Sequence, residues 1–174
     1  LMCGIVGVVG NSNAVDILIQ GLEKLEYRGY DSAGIYVTDA PDKGCLVKSV
    51  GRIADLRAKI SSDVKGSTGI GHTRWATHGQ ATEDNAHPHT SETGRFVLVH
   101  NGVIENYLQI KEEYLQGHKF KGQTDTEIAV HLIGKFVDED GLSVLEALKK
   151  SLHIIQGSYA FALVDSQAPD TIYV

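Results

Sequence analysis

Residues 1–10 read LMCGIVGVVG and place a cysteine directly before a run of small and β-branched residues. Such a run predicts a buried strand from Ile5 to Val9. Cys3 therefore lies at the start of a strand and close to a chain end. Taken alone, it is either a small buried hydrophobe or a nucleophile. At the first position of a mature chain, a nucleophile would carry its own α-amino group as a base.

The composition describes an ordinary globular chain of 174 residues, long enough for one domain with its own core. The formal net charge of -6 and the scattered basic residues argue against nucleic-acid binding. No segment approaches the roughly 20 apolar residues of a membrane span. Two cysteines are too few for a disulfide scaffold, and no signal peptide is visible. We therefore expect a soluble cytoplasmic protein.

Alternating and helical patterns predict further elements along the chain. Thr124 and Ser143 begin segments of capping-box form, and Asn13 is placed to cap the first helix. Several strands follow one another without an intervening helix, which favours antiparallel sheets with helices on their faces, an α+β fold. Strands are predicted at 33–38, 45–50, 68–75, 95–100, 159–165 and 171–174, and helices at 13–28, 54–60, 104–115, 124–137 and 143–157.

A long polar segment follows the stretch HTRWATHG at 72–79. The planar guanidinium of Arg74 suits a carboxylate, to which it can donate two parallel hydrogen bonds. Trp75 is either a core residue or a lid over a small ligand. His87 and His89 flank a proline and resemble a ligand pair. However, helical metal spacing is absent and no cysteine pair completes a site, so we predict hydrogen-bonded loop histidines and no metal.

The stretch VHNGVIENY at 99–107 places Asn101 and Gly102 where a strand gives way to a helix. An Asn-Gly pair is commonly a turn, but a side-chain amide beside a glycine N–H can also stabilise an oxyanion. Asp125 at a helix start is either a cap or an anchor for a substrate ammonium. Cys45, within a predicted strand, is expected in the core. The glycine spacing of GIVGVVG does not match a dinucleotide-binding loop.

Six of these segments, in this order, resemble the glutamine amidotransferase domains of the glutamine–fructose-6-phosphate aminotransferase family: CGIVG, LEYRGYDSAGI, HTRWATHG, NAHPH, VHNGVIENY and TDTE. The resemblance runs across essentially the whole chain. Amidotransferases that act on phosphoribosyl pyrophosphate share the early cysteine but differ at TRWATHG, so the hexosamine branch is favoured. The resemblance implies an N-terminal-nucleophile hydrolase fold, a four-layer αββα sandwich with two antiparallel sheets.

The resemblance also implies a reaction without cofactors. Cys3 would attack the side-chain amide of L-glutamine with its own α-amino group as the base, and the resulting thioester would be hydrolysed. By the same resemblance, Asn101 and Gly102 would form the oxyanion hole, and Arg74 would bind the α-carboxylate of glutamine with help from Thr77 and His78. Asp125 would hold the α-ammonium group. Arg28 and Gly29 would lie in the segment near the amino terminus, and Trp75 in the mobile loop.

Two departures from the family accompany this likeness. Leu1 and Met2 precede Cys3, and the leucine looks like a residue left by cloning. We expect a chain that retains both to have little glutaminase activity, because the nitrogen of Cys3 is then an amide. We also expect that residues 1–174 are an amidotransferase domain truncated at its C-terminal end, without the sugar isomerase domains.

The complete enzyme would be a homodimer that transfers ammonia to fructose 6-phosphate, giving glucosamine 6-phosphate. One rival hypothesis is a non-catalytic amino-acid-binding module that keeps Arg74 and Asp125 but forms no thioester. Another is metal-dependent hydrolysis through His87 and His89, which a chelator would abolish.

Overall fold

A computed structural model of the protein describes residues 3–76 and 79–174. These residues form eight strands and five α-helices, with a short 3-10 helix at Glu26–Arg28. In chain order the elements are β1 (Gly4–Val8), α1 (Ala14–Leu25), β2 (Ser32–Thr38), β3 (Cys45–Val50), α2 (Ile53–Lys59), β4 (Thr68–Arg74), β5 (His89–Thr90), β6 (Phe96–Ile104), α3 (Tyr107–Tyr114), α4 (Asp125–Asp138), α5 (Val144–Ile154), β7 (Gly157–Asp165) and β8 (Ile172–Tyr173).

The strands form two antiparallel sheets of four. In the first sheet the order is β1-β4-β2-β3, and in the second sheet it is β5-β6-β7-β8. Central strand β6 pairs with β7 over its whole length, from Phe96 opposite Asp165 to Ile104 opposite Gly157. The expectation of two antiparallel sheets is confirmed.

Strand β6 shows how the layers are held together. Successive side chains of a strand point to opposite faces. Phe96 and Leu98 accordingly join the core that α4 covers, whereas Val97 and Val99 join a core shared with the first sheet. A third core lies between the first sheet and helices α1 and α2. Three cores between four layers confirm the αββα sandwich.

Two predicted boundaries around β6 are wrong. We expected the strand to end at His100 and a helix to begin at Ile104, but β6 runs to Ile104 and α3 begins at Tyr107. The cause is tertiary, since β7 offers a partner for every residue of the longer strand. Asn101 and Gly102 therefore lie inside a strand rather than at a strand–helix junction.

The helix caps also differ in part from expectation. Asn13 stands at the start of α1, but its side chain makes no capping hydrogen bond. Thr124 caps α4 by accepting the N–H of Glu127 at 3.2 Å, and Ser143 forms a complete capping box with Glu146. Within the described residues, the helices are too short or too polar to cross a membrane.

Candidate active site

Cys3 lies directly before β1, next to the end of β4. The strand register places Gly4 opposite Thr73, and the Gly4 N–H donates to Thr73 Oγ1 at 3.0 Å. Cys3 Sγ accepts a hydrogen bond from the Trp75 backbone N–H at 3.1 Å. The thiol is therefore fixed beside Arg74, which ends β4.

The surroundings of Cys3 keep its thiol protonated. Burial raises the pKa of Cys3 above its usual value of 9.0, and the negative charge of Asp31 acts in the same direction. The Trp75 N–H and the positive charge of Arg74 lower this pKa, but they do not offset the effect of burial. At pH 7 the protonated thiol is then the dominant form. Attack by this sulfur requires a base that removes its proton.

The side chain of Asn101 reaches across from the second sheet to Cys3. Asn101 Nδ2 donates to the Cys3 carbonyl oxygen at 3.2 Å, which joins residues 98 positions apart. At its other end, Asn101 Oδ1 lies 2.8 Å from Nε2 of His72. The carboxamide is thus hydrogen-bonded at both its nitrogen and its oxygen, and its N–H group faces the cysteine.

His72 determines which way that amide faces. Its Nε2 is also 3.0 Å from the carbonyl oxygen of His100, so both neighbours of this nitrogen are acceptors and Nε2 must carry the hydrogen. Burial lowers the pKa of His72 to about 3, so the ring is neutral at pH 7. A neutral, buried donor therefore holds Asn101 with its oxygen away from Cys3.

Gly102 has a backbone conformation that only glycine adopts easily. Its φ is +126°, and an added Cβ would lie 1.9 Å from the carbonyl oxygen of Ser158 on β7. Any side chain would push β6 away from β7 at the residue after Asn101. The glycine lets β6 stay paired while it carries a polar side chain into the site.

Arg74 is buried, and its guanidinium is held by backbone carbonyls. Nη1 donates to the carbonyl of Gln80 at 3.0 Å and Nη2 donates to that of Gly79 at 3.3 Å. Asp31 Oδ1 lies 3.8 Å from Nη1, and the Asp31 N–H donates to the Arg74 carbonyl at 2.8 Å. The cation therefore has a fixed position one residue from Trp75.

Asp125, the first residue of α4, connects this helix to β6. Its Oδ2 accepts the N–H of Ile104 at 2.9 Å, and its Oδ1 accepts the N–H of Thr126 at 3.0 Å. The carboxylate is buried, with 4% of the residue exposed. It is tied to the end of the strand that carries Asn101 and Gly102.

The remaining predicted site residues divide into three groups. Arg28 ends the 3-10 helix, and Gly29 follows it with a φ of +105°; this segment reaches Arg74 through Asp31. The indole of Trp75 is partly exposed, and it is the Trp75 backbone that contacts Cys3. The predictions for Thr77 and His78 fall outside the described residues.

His87 and His89 belong to a buried polar network. The His87 ring stacks on His72 with centroids 4.0 Å apart, and His89 Nε2 lies 2.9 Å from Thr124 Oγ1. Burial lowers the pKa of both rings well below 6.5, so both are neutral at pH 7. These contacts fit the prediction of hydrogen-bonded histidines.

Sequence reasoning assigned no site role to His72 or Asp31. The signal for His72 was the period of two in β4, because His72 and Arg74 point to the same face of the sheet. Asp31 gave no such signal, since its role depends on β2 lying next to β4. Cys45, predicted in the core, is partly buried and packs against the core under α1 and α2.

Comparison with known proteins identifies the family of this chain. A profile of the glutamine amidotransferase domain family matches residues 72–174. The glutamine–fructose-6-phosphate aminotransferase (isomerizing) of Streptococcus pyogenes is 83% identical over 173 residues, which is 99% of this chain and 28% of that protein. The chain therefore spans less than a third of the length of this curated relative.

Two solved structures share the fold. The Bacillus subtilis glutamine phosphoribosylpyrophosphate amidotransferase, complexed with ADP and GMP, superposes with a TM-score of 0.78 at 33% identity. It is matched over 93% of this chain and 35% of its own. An allosteric regulatory enzyme of purine biosynthesis gives a TM-score of 0.81 at the same identity and the same coverage. The preference for the hexosamine branch is confirmed, since identity is far higher there. By its family profile, its relatives and its two-sheet fold, the chain belongs to the glutamine amidotransferase domain family.

Proposed function

We propose that this domain hydrolyses the side-chain amide of L-glutamine to glutamate and ammonia, with Cys3 as the nucleophile. The observation that carries the proposal is the contact of Asn101 with Cys3 across the two sheets. It brings a sulfur and an amide donor together from distant parts of the chain. An amide donor beside the sulfur can stabilise the oxyanion that forms when a thiolate attacks an amide carbon.

The chemistry needs a base, because burial keeps the Cys3 thiol protonated. The α-amino group of Cys3 fits this role when Cys3 is the first residue of the chain, since a free α-amino group titrates near 7.7–8.0. It would take the thiol proton as sulfur attacks the amide carbon, and then give a proton to the departing ammonia. Water would cleave the γ-glutamyl thioester and restore the thiol.

Binding of a zwitterion requires one cation and one anion held apart. Arg74 would be the cation that binds the α-carboxylate. Its buried guanidinium is held by the carbonyls of Gln80 and Gly79, and a guanidinium has five N–H donors. Asp125 would hold the α-ammonium group. By resemblance to the family, Thr77 and His78 would help Arg74 to bind the α-carboxylate. Trp75 would belong to the loop that shields the site, and Arg28 and Gly29 to the segment near the amino terminus.

The likeness to longer relatives supports a wider role. We propose that the complete protein passes the ammonia to fructose 6-phosphate on a sugar isomerase domain of the same chain, and that it acts as a cytoplasmic homodimer. We also propose that residues 1–174 belong to the amidotransferase part of that protein.

A reactive diazo-ketone analogue of glutamine tests the proposal. Mass spectrometry should show alkylation of Cys3 and none of Cys45, with a parallel loss of glutamate release. The Cys3→Ala variant should be neither labelled nor active, while Cys45→Ala, the matched control, should behave as the unaltered protein does. Reversible glutamine binding without labelling of Cys3 would favour the non-catalytic binding module.

The role of the α-amino group needs a second comparison. A chain that begins at Cys3 should release glutamate, whereas a chain that retains Leu1 and Met2 should be close to inactive although its thiol is intact. Equal rates for the two chains would refute the amino base and leave the nucleophile assignment untouched.

A further inference from the structure

A cluster of three side chains that could hold a metal ion lies outside the proposed glutaminase site. It consists of Glu92, in the turn between β5 and β6, His118, in the turn after α3, and His131 within α4. One ligand atom from each residue lies within 4.8 Å of the other two. Three separate parts of the chain therefore converge on one point.

The spacing of these atoms matches a tetrahedral ion. The two imidazole Nδ1 atoms are 3.1 Å apart. Glu92 Oε2 lies 3.7 Å from Nδ1 of His118 and 3.5 Å from Nδ1 of His131. Ligands bound tetrahedrally at about 2.0–2.1 Å are separated by about 3.3 Å. An ion slightly out of the plane of these three atoms, toward a fourth ligand, would need movements of only a few tenths of an ångström.

The ligand atoms are also oriented by their neighbours. His118 Nε2 lies 3.0 Å from Glu139 Oε1, so its hydrogen is on Nε2 and the lone pair of Nδ1 faces the cluster. Glu92 Oε2 accepts the backbone N–H of Lys119 at 2.9 Å. A carboxylate behind a ligating histidine is the usual support of a zinc site.

The second histidine has a carboxylate nearby but no hydrogen bond to it. Its Nε2 lies 3.9 Å from Glu127 Oε1, and the Glu127 carboxylate is held by the backbone N–H groups of Lys121 and Gly122, both at 2.8 Å. The two histidine side chains are buried, with 8% of His118 and 2% of His131 exposed, whereas Glu92 is 39% exposed. The site is thus rigid on the protein side and open to solvent at the carboxylate.

We propose that Glu92, His118 and His131 bind one Zn²⁺ ion, with water in the fourth position. Two imidazoles and one carboxylate suit zinc and its late first-row neighbours better than magnesium or calcium, which prefer oxygen ligands. The bound ion would tie the turn after α3 to α4 and to the turn between β5 and β6. None of the residues proposed for glutamine hydrolysis takes part.

Zinc titration of the full-length protein against a competing chromogenic chelator tests this site. The unaltered protein should bind one Zn²⁺ more tightly than His118→Gln or Glu92→Gln, each of which should bind at least about 10-fold more weakly. Glu139→Gln, which leaves all three ligands in place, should weaken binding roughly 10-fold to 100-fold. Zinc should also raise the thermal unfolding midpoint of the unaltered protein and not that of His118→Gln.

His153→Gln is the matched control. His153 is an exposed histidine on α5, and its Nδ1 is hydrogen-bonded to the Lys149 carbonyl of the same helix. It should bind zinc as the unaltered protein does. X-ray absorption should show nitrogen and oxygen neighbours only. The proposal is overturned by the absence of a one-to-one complex, by equal binding in all variants, or by sulfur in the zinc shell, which would indicate a cysteine ligand.

Discussion

The first sheet brings Cys3, directly before β1, close to Arg74, the last residue of β4. The second sheet instead holds Asn101 and Gly102 inside β6, with Asp125 fixed to the end of that strand. In the site proposed above, the sulfur and the cation would come from the side of the first sheet. The oxyanion donors would come from β6 of the second sheet, and the anion from the start of α4, which is hydrogen-bonded to the end of β6.

What joins the sheets differs between the core and the site. The core between them is apolar and includes Ile70, Val97 and Val99. At the site, the contact is the carboxamide of Asn101, placed between Cys3 and His72. Apolar packing is tolerant of small shifts, whereas hydrogen bonds require specific distances. We infer that the core holds the sheets together and the polar contacts set the alignment of the reacting groups.

The largest effect is expected where the two sheets meet. Asn101→Ala removes the donor that faces Cys3, so kcat should fall about 100-fold to 1,000-fold, with a much smaller change in KM. Asn106→Ala is the matched control, because Asn106 also bridges two backbone segments, through the Ile154 carbonyl and the Gln156 N–H. It should lower the free energy of unfolding and leave kcat unchanged. Equal losses of kcat in both variants would contradict an oxyanion role.

The cation of the first sheet should affect binding more than chemistry. Arg74→Lys keeps the charge but loses the planar fork, so KM for glutamine should rise roughly 10-fold to 100-fold, the equivalent of one lost charge-assisted hydrogen bond. The comparison is Arg95→Lys, since Arg95 makes a two-point ion pair with Asp165 at 2.9 Å for each bond. That variant should change stability and not KM. An unchanged KM in Arg74→Lys would remove Arg74 from the glutamine site.

The fold class was predictable because its signals are local. Runs of apolar and β-branched residues marked the strands, the order of strands favoured antiparallel pairing, and Ser143 marked a helix start that the structure confirms. The extension of β6 to Ile104 was not predictable, because it depends on pairing with β7, more than 50 residues further along the chain.

The site was predictable in a similar way. Cys3, Arg74 and Asn101 stand in motifs with recognisable chemistry, and the resemblance to a family gave them roles. His72 and Asp31 act through neighbours in space, so nothing in their own motifs distinguishes them. The cluster of Glu92 and His131 was missed for the same reason, because its members are far apart in sequence.

His72 offers a way to separate alignment from packing. His72→Phe should preserve the stacking on His87 but remove the hydrogen that orients Asn101. We expect kcat to fall about 10-fold, the cost of one neutral hydrogen bond, with little change in KM. His72→Gln, which can still donate, should recover part of the rate. A rate loss that Gln does not relieve, together with a lower unfolding midpoint, would show that His72 acts through packing alone.

The smallest effect concerns Asp125, the carboxylate at the start of α4 that is hydrogen-bonded to β6. Thr124→Ala and Ser143→Ala each remove an N-cap, from α4 and α5, and each should lower the free energy of unfolding by about 0.5–2 kcal/mol. Only Thr124 precedes Asp125 and pairs with the buried His89, so only its loss should loosen the carboxylate and raise KM by about twofold to fivefold. Thermal unfolding and steady-state kinetics on both variants measure the two effects separately. If KM is the same in both variants, then Asp125 serves the helix start and not the substrate.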